Sequence, residues 1–216
     1  MPPSDIKIAR ELIELLEPTY VLKDITARVA KEPSLSLLDK EAQKRGYKAL
    51  VEPTGVIGQR YSVRTAEDVL PPKDVKGGGA PFRDLVYELL IVSYVKANSK
   101  DQAALIIASL KAGDNIDTTH VLLEAPGGKF DRAKEWAVKS GAVVPMKSWW
   151  SAVRACLKKH CGPTCAAAVI VCGALIPAAW WACFAAACGG CLLWCAACAT
   201  CNCKWRCRAV FNCCRQ

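Results

Sequence analysis

Residues 161–203, CGPTCAAAVIVCGALIPAAWWACFAAACGGCLLWCAACATCNC, run for 43 residues without one Asp, Glu, Lys or Arg. The run is too rich in Ala, Cys and Gly, and too interrupted, to read as one element. Pro177 and Gly189-Gly190 are natural breaks. They divide it into Ala166–Ile176, Ala178–Ala187 and Leu192–Thr200, each of about 10 residues, the length of a core helix rather than of a membrane span. Taken whole, Ala166–Ala187 is 22 residues and long enough to cross a bilayer. The pieces favour a compact helical bundle that binds or enters membranes; a dedicated transmembrane anchor is the alternative.

All 14 cysteines lie within or beside this run: Cys156, Cys161, Cys165, Cys172, Cys183, Cys188, Cys191, Cys195, Cys198, Cys201, Cys203, Cys207, Cys213 and Cys214. The even number allows seven disulfides, with a connectivity that sequence does not give. Cys161, Cys165 and Cys172 share one helical face, and Cys191, Cys195, Cys198 and Cys201 share another. Facing cysteine stripes on short antiparallel helices suit repeated cross-linking, which stabilises a unit too small to build a large core. The rival reading is a metal site, because CGGC at 188–191, CAAC at 195–198 and CATC at 198–201 are each C-x-x-C. A zinc ribbon separates two such pairs by a longer polar loop, whereas these overlap or nearly touch. An iron–sulfur cluster would leave most of the cysteines without a role. Disulfides are expected, with no resident metal or cofactor.

The flanks add charge and tryptophan. Trp149, Trp150, Arg154, Lys158 and Lys159 precede the run, and Lys204, Trp205, Arg206 and Arg208 follow it. Trp favours the membrane–water interface and cations favour anionic headgroups, so these nine are the expected membrane-binding residues. The bland alternative is a soluble core with a solvated rim. All 20 acidic residues of the 216-residue chain lie at or before Glu135, so the +9 net charge belongs wholly to the C-terminal part. A surface shaped for solubility alone mixes signs. The charge excess sits beside an apolar run, not in a polar basic stripe, so nucleic acid is not the expected partner.

Residues 1–135 are neutral and free of cysteine. MPPSDIKIARELIELLEPTY has acidic residues scattered through it and no uninterrupted apolar core, so it does not read as a secretory signal. Ser4 and the apolar residues from Ile6 to Leu16 predict an amphipathic helix over 4–17. A second helix is expected from Ser34 or Ser36 to Gly46. Tyr47–Glu52 and Gln59–Arg64 read as strands around Pro53-Thr54-Gly55; a helix followed by such a pair resembles a winged helix, although the neutral charge argues against DNA contact. LPPKDVKGGGAPF at 70–82 reads as a linker or long loop. Leu85–Val95, Ala103–Leu110 and Thr118–Glu124 predict an antiparallel meander, Pro126-Gly127-Gly128 a turn, and Lys129–Ser140 a helix ending at Gly141. Asp84, Glu88, Asp114, Asp117 and His120 show no diagnostic spacing and read as surface residues. No phosphate-binding or dinucleotide-binding glycine pattern occurs, and no enzymatic role is expected.

The fold class expected is therefore an α+β N-terminal domain, helices plus an antiparallel meander, over 1–135. A linker over 136–147 carries the candidate cleavage site. A small all-α, disulfide-stapled domain over 148–216 completes the chain. SWWSAVRACLKKHCGPTC at 148–165, CGGC at 188–191 and CNCKWRC at 201–207 before Cys213-Cys214 carry a resemblance to the halocin-type bacteriocins. The resemblance covers about 70 residues and rests on cysteine density and architecture. It implies a precursor whose C-terminus is released as a secreted, cysteine-rich antimicrobial peptide, and whose N-terminal part escorts the peptide or confers self-immunity. The implied partners are an anionic membrane surface, a processing protease and an exporter, with an intramolecular contact between the two parts. The chain departs from that family in lacking a twin-arginine signal and in its more basic peptide. Synthesis in the cytoplasm and secretion or membrane association after processing follow as expectations. An uncleaved membrane-anchored binding protein and a Cys-cluster metal or redox protein are the alternatives.

Overall fold

The computed structural model describes residues 8–65, 84–146, 149–172, 175, 177–188 and 190–201. Eight strands form one antiparallel sheet: β1 (Ile8–Leu16), β2 (Tyr47–Ala49), β3 (Val56–Thr65), β4 (Asp84–Lys96), β5 (Gln102–Ala112), β6 (Asn115–Ala125), β7 (Lys134–Lys139) and β8 (Ala142–Met146). Their order is β1-β3-β4-β5-β6-β7-β8, with β2 also paired to β4. Helices α1 (Pro18–Lys31) and α2 (Pro33–Lys44) cover one face. Helices α3 (Trp149–His160), α4 (Gly162–Val171), α5 (Pro177–Cys188) and α6 (Gly190–Cys201) cover the other. The fold is α+β with a stapled all-helical C-terminal region, as the sequence predicts.

The predicted meander is the centre of the sheet. Along β4, Leu85, Tyr87, Leu89 and Ile91 turn towards the cysteine-rich helices, and Leu90, Val92 and Tyr94 turn towards α1 and α2. On β5, Ala104, Ile106 and Ala108 alternate with Ala103, Leu105 and Ile107 in the same way. A strand covered on both faces reads as a continuous apolar run, which is why these two strands lack the polar alternation of a half-exposed sheet.

Four local predictions are corrected. Residues 8–16 are an edge strand, not a helix: they pair antiparallel with β3 from Ile8↔Thr65 to Leu16↔Gly58. The rest of the predicted 4–17 helix lies outside the described residues. Pro18 does not end a helix but opens α1, and Pro33 likewise opens α2. The first turn of a helix has no use for the proton that proline lacks. The predicted helix at 129–140 is a 3-10 turn, Phe130–Arg132, followed by β7. Ser140 and Gly141, both at positive φ (51° and 77°), then form the two-residue turn into β8. Most of the stretch read as a linker therefore belongs to the sheet. The winged-helix pairing is absent: β2 pairs with β4, and β3 with β1 and β4. The predicted linker at 70–82 lies outside the described residues.

The C-terminal helices follow the predicted breaks. Gly162, at φ +77°, turns the chain from α3 into α4. The axes of α5 and α6 meet at 113°. Cys156–Cys195, Cys161–Cys191, Cys165–Cys188 and Cys172–Cys183 are disulfides, with Cα atoms 5.6, 5.9, 5.0 and 5.9 Å apart. They are nested: α3 and α4 run against α5 and α6 like the two sides of a ladder. Cys198 and Cys201 are also disulfide-bonded. Cys203, Cys207, Cys213 and Cys214 lie outside the described residues.

Candidate functional site

The contact between the sheet and the cysteine-rich helices gathers all the buried polar side chains found among the described residues. Its centre is aromatic. Trp180 stacks on Phe130 with ring centroids 4.7 Å apart. Trp150 meets Trp180 edge-on at 5.4 Å, and Phe184 packs 5.3 Å from Trp180. All of these rings are buried together with Tyr61 and Tyr87 of the sheet. Large flat rings bury much apolar area and gain from edge-to-face packing.

The polar contacts select one docking geometry. The Glu135 carboxylate on β7 accepts the backbone N–H groups of Trp150 and Ser151, each at 3.0 Å. A side chain of the sheet thereby caps α3, satisfying two of the N–H groups that a helix start leaves without partners. The carboxylate also faces the positive end of the helix dipole. Ser93 on β4 does the same for α5, its Oγ accepting from Ala178 N at 2.8 Å. Trp181 donates Nε1–H to Gln59 Oε1 at 2.9 Å, and Trp150 donates to the Phe130 carbonyl at 2.9 Å. Trp149 donates to Thr200 Oγ1 at 3.0 Å, with the Tyr87 hydroxyl 3.5 Å from the same oxygen. Burial pushes the Tyr87 phenol well above its usual value, so it stays protonated. Gln59, Ser93, Glu135 and Thr200 are the buried polar or charged residues among those described, and each has its partner in this seam. A buried polar group costs free energy unless paired, so each of the four penalises any other arrangement of the two parts.

The predicted membrane-binding residues are divided. In the intact chain Trp149 and Trp150 are 3% and 1% exposed and face the sheet, because their rings fill the joint core and their N–H groups find acceptors there. Arg154, Lys158 and Lys159 are on the exposed side of α3. Lys204, Trp205, Arg206 and Arg208 lie outside the described residues. Arg154 borders a cavity of about 830 Å³ between α3 and the β7–β8 hairpin, which Arg45, Arg132 and Lys134 also line, with Trp136, Pro145 and Met146 as apolar wall. Among the described residues no single helix is long and apolar enough to cross a membrane, although the bent pair α5 and α6 passes that test by length and composition.

His120 and Glu88, expected at the surface, are half-buried and each has a partner. Both sit on the α1–α2 side of the sheet. His120 Nδ1 is 2.7 Å from Ser34 Oγ, and its Nε2 is 3.2 Å from Glu32. Glu88 accepts from Arg60 at 3.0 Å. Burial lowers the His120 pKa; Arg28 lowers it further, and Glu32 opposes them. The expected turn at Pro126-Gly127-Gly128 is present, with Gly127 N–H donating to Asp101 at 2.8 Å. The seam residues Gln59, Ser93 and Glu135 were not singled out from sequence. One trace was available: Ser93 is the polar exception in the apolar run of β4. Where a metal is concerned, the sulfurs of Cys161, Cys191 and Cys195 lie within 4.8 Å of one another.

Comparison with protein-family models, with curated proteins and with solved structures finds no match to this chain. The functional reading rests on the geometry and on the residues themselves.

Proposed function

We propose that this chain is the precursor of a cysteine-rich, membrane-active antimicrobial peptide, and that its N-terminal sheet is the peptide's escort and self-protection device. The single observation that carries the reading is the seam. The N-terminal part supplies an apolar sheet face, the caps of two peptide helices and the acceptor for Trp181. An apolar, uncharged helical unit made by a living cell endangers that cell's own membranes. A preformed surface that buries its tryptophans removes the danger until release. The hairpin β7–β8 belongs to the sheet, so the proposed cut falls between Met146 and Trp149, at the end of the stretch where composition changes.

After release, Trp149 and Trp150 become available to the interface of an anionic membrane, beside Arg154, Lys158 and Lys159. The uncharged helices α4, α5 and α6 supply the body that perturbs it. No catalytic step is required of either part. The test is the intact mass of the protein from producing cells and from their medium, with and without reductant. The expected result is a C-terminal fragment of about 70 residues in the medium that gains roughly 14 Da on reduction, the mark of seven bridges. A full-length chain retained by the cells, surviving carbonate washing of their membranes, overturns the precursor reading in favour of an anchored binding protein.

A further inference from the structure

Two neighbouring rungs of the ladder bring the sulfurs of Cys161, Cys191 and Cys195 within 4.8 Å of one another, with Cys156 bonded to the last of them. Cys156 is bonded to Cys195, and Cys161 to Cys191. Across the two bridges, the Cys161 and Cys195 sulfurs are 3.8 Å apart. With Zn–S bonds of about 2.3 Å, a tetrahedral zinc ion holds its sulfurs about 3.8 Å from one another. The contact between the bridges already has that spacing. Opening the two bonds lets each bonded pair relax towards it by side-chain rotation on helices anchored in the core through Trp149 and Trp194. Cys195 is buried and its three companions are partly buried, so an ion held there is shielded from water. Among the described residues, this is the one place where three or more potential ligand atoms gather so closely.

Every cysteine leaves the ribosome as a thiol, and in a reducing compartment it stays one. We propose that in the reduced chain Cys156, Cys161, Cys191 and Cys195 bind one zinc ion as a four-thiolate site, which the two bridges later replace. This inference does not depend on the antimicrobial reading. Loading exchanges four thiol protons for one Zn²⁺ and leaves the site with two negative charges, beside the cations Lys158 and Lys159 on the last turn of α3. In the later exchange, each pair of thiolates attacks a small-molecule or protein disulfide. Each such oxidant takes two electrons and leaves as two thiolates, two protein bridges form, and Zn²⁺ departs. The ion would hold α3 against α6 before oxidation, with the helices in the register that the correct bridges need. Metal binding and folding of a small unit are one equilibrium.

The experiment uses the full chain kept reduced without a chelating reductant, titrated with Zn²⁺, and with Co²⁺ as a coloured stand-in. Alkylation followed by mass spectrometry reads which of the 14 thiols the ion protects. The expected result is one ion per chain, tetrahedral cobalt–thiolate absorption, and protection of Cys156, Cys161, Cys191 and Cys195. Cys161→Ser with Cys191→Ser should weaken binding by more than the roughly 10–100-fold that loss of an outer hydrogen-bond partner costs a metal site. Cys172→Ser with Cys183→Ser, which removes another rung, should leave stoichiometry and protection unchanged. Protection of other cysteines, an equal effect of the two double variants, or no cobalt–thiolate band overturns the proposal and leaves the precursor reading untouched.

Discussion

The two faces of the sheet are covered by helices of opposite character. On one face α1 and α2 are amphipathic: Val21, Ile25, Leu35 and Leu38 point inwards, and half-buried charged pairs such as Arg28–Glu32 and Arg45–Glu41 line the margin. Their orientation is fixed by which side of each helix is apolar. On the other face, α4, α5 and α6 carry no charged residue at all. Such helices have no polar side to keep them from rolling. Their orientation is fixed by covalent rungs and by the polar contacts of Ser93 and Gln59 with α5 and of Tyr87 with Thr200 of α6. The difference teaches how a sheet can orient helices that are apolar all round: direction is supplied from the partner and from cross-links, not from the helices' own pattern.

Reduction should break this contrast most severely. Each outer bridge closes only the short ring back to the rung inside it, so the four contribute less than four independent loops. Even so, complete reduction without metal should cost more than the ~2–5 kcal/mol typical of one native bridge. Hydrogen exchange should then show α4–α6 losing protection well before α1 and α2. Equal loss on both faces would mean that the ladder does not define a separate unit. Next in size, Trp150→Ala should destabilise by about 3–5 kcal/mol and Leu38→Ala by about 2–5 kcal/mol. Denaturant unfolding gives the totals, and exchange should place the first effect on α3 and the second on α2.

The caps sharpen the comparison further, because α1 and α2 have no side-chain caps while α3 and α5 borrow theirs. Glu135→Gln should cost about 2 kcal/mol, since a charged acceptor buried against two N–H groups becomes a neutral one. Ser93→Ala should cost about 1 kcal/mol. Both should open the seam to exchange without changing the α1–α2 side. The smallest effect is on pH dependence. Burial depresses the folded-state His120 pKa below its unfolded value near 6.5, so the unfolded chain takes up the proton first. The stability contributed by neutral His120 is complete above about pH 6.5 and is lost as the pH falls through its lowered folded value. His120→Gln should flatten that acid limb, measured as the midpoint of thermal unfolding against pH. An unchanged limb would assign the acid sensitivity elsewhere, with His160 on the opposite face as the first alternative, since burial lowers it too.

The helical breaks at Pro177 and Gly189-Gly190, the facing cysteine stripes and the meander were legible because each depends on local chemistry. The misreadings share a different cause. Ile8–Leu16 has the spacing of an amphipathic helix, but it finds an edge of β3 to pair with and leaves Leu15 71% exposed. Pro18 has two local meanings, stop and start, and only the chain on both sides decides between them. Trp149 and Trp150 have the composition of a membrane rim, and sequence does not reveal that Phe130 and the sheet behind it bury them in the intact chain. Gln59, Ser93 and Glu135 were invisible for the same reason: a cap supplied across a tertiary contact leaves no spacing to read.

The most direct test of the account inserts a protease site between Lys147 and Ser148 of the full chain and measures leakage of anionic vesicles, together with growth inhibition of a related strain. The account predicts that the intact chain is inert and that the cut chain stays associated and nearly inert. The oxidised fragment 148–216, once separated, should permeabilise the vesicles and inhibit growth, and adding back the N-terminal part should suppress both. An intact chain as active as the free fragment, or a free oxidised fragment that neither binds anionic vesicles nor inhibits growth, would contradict it.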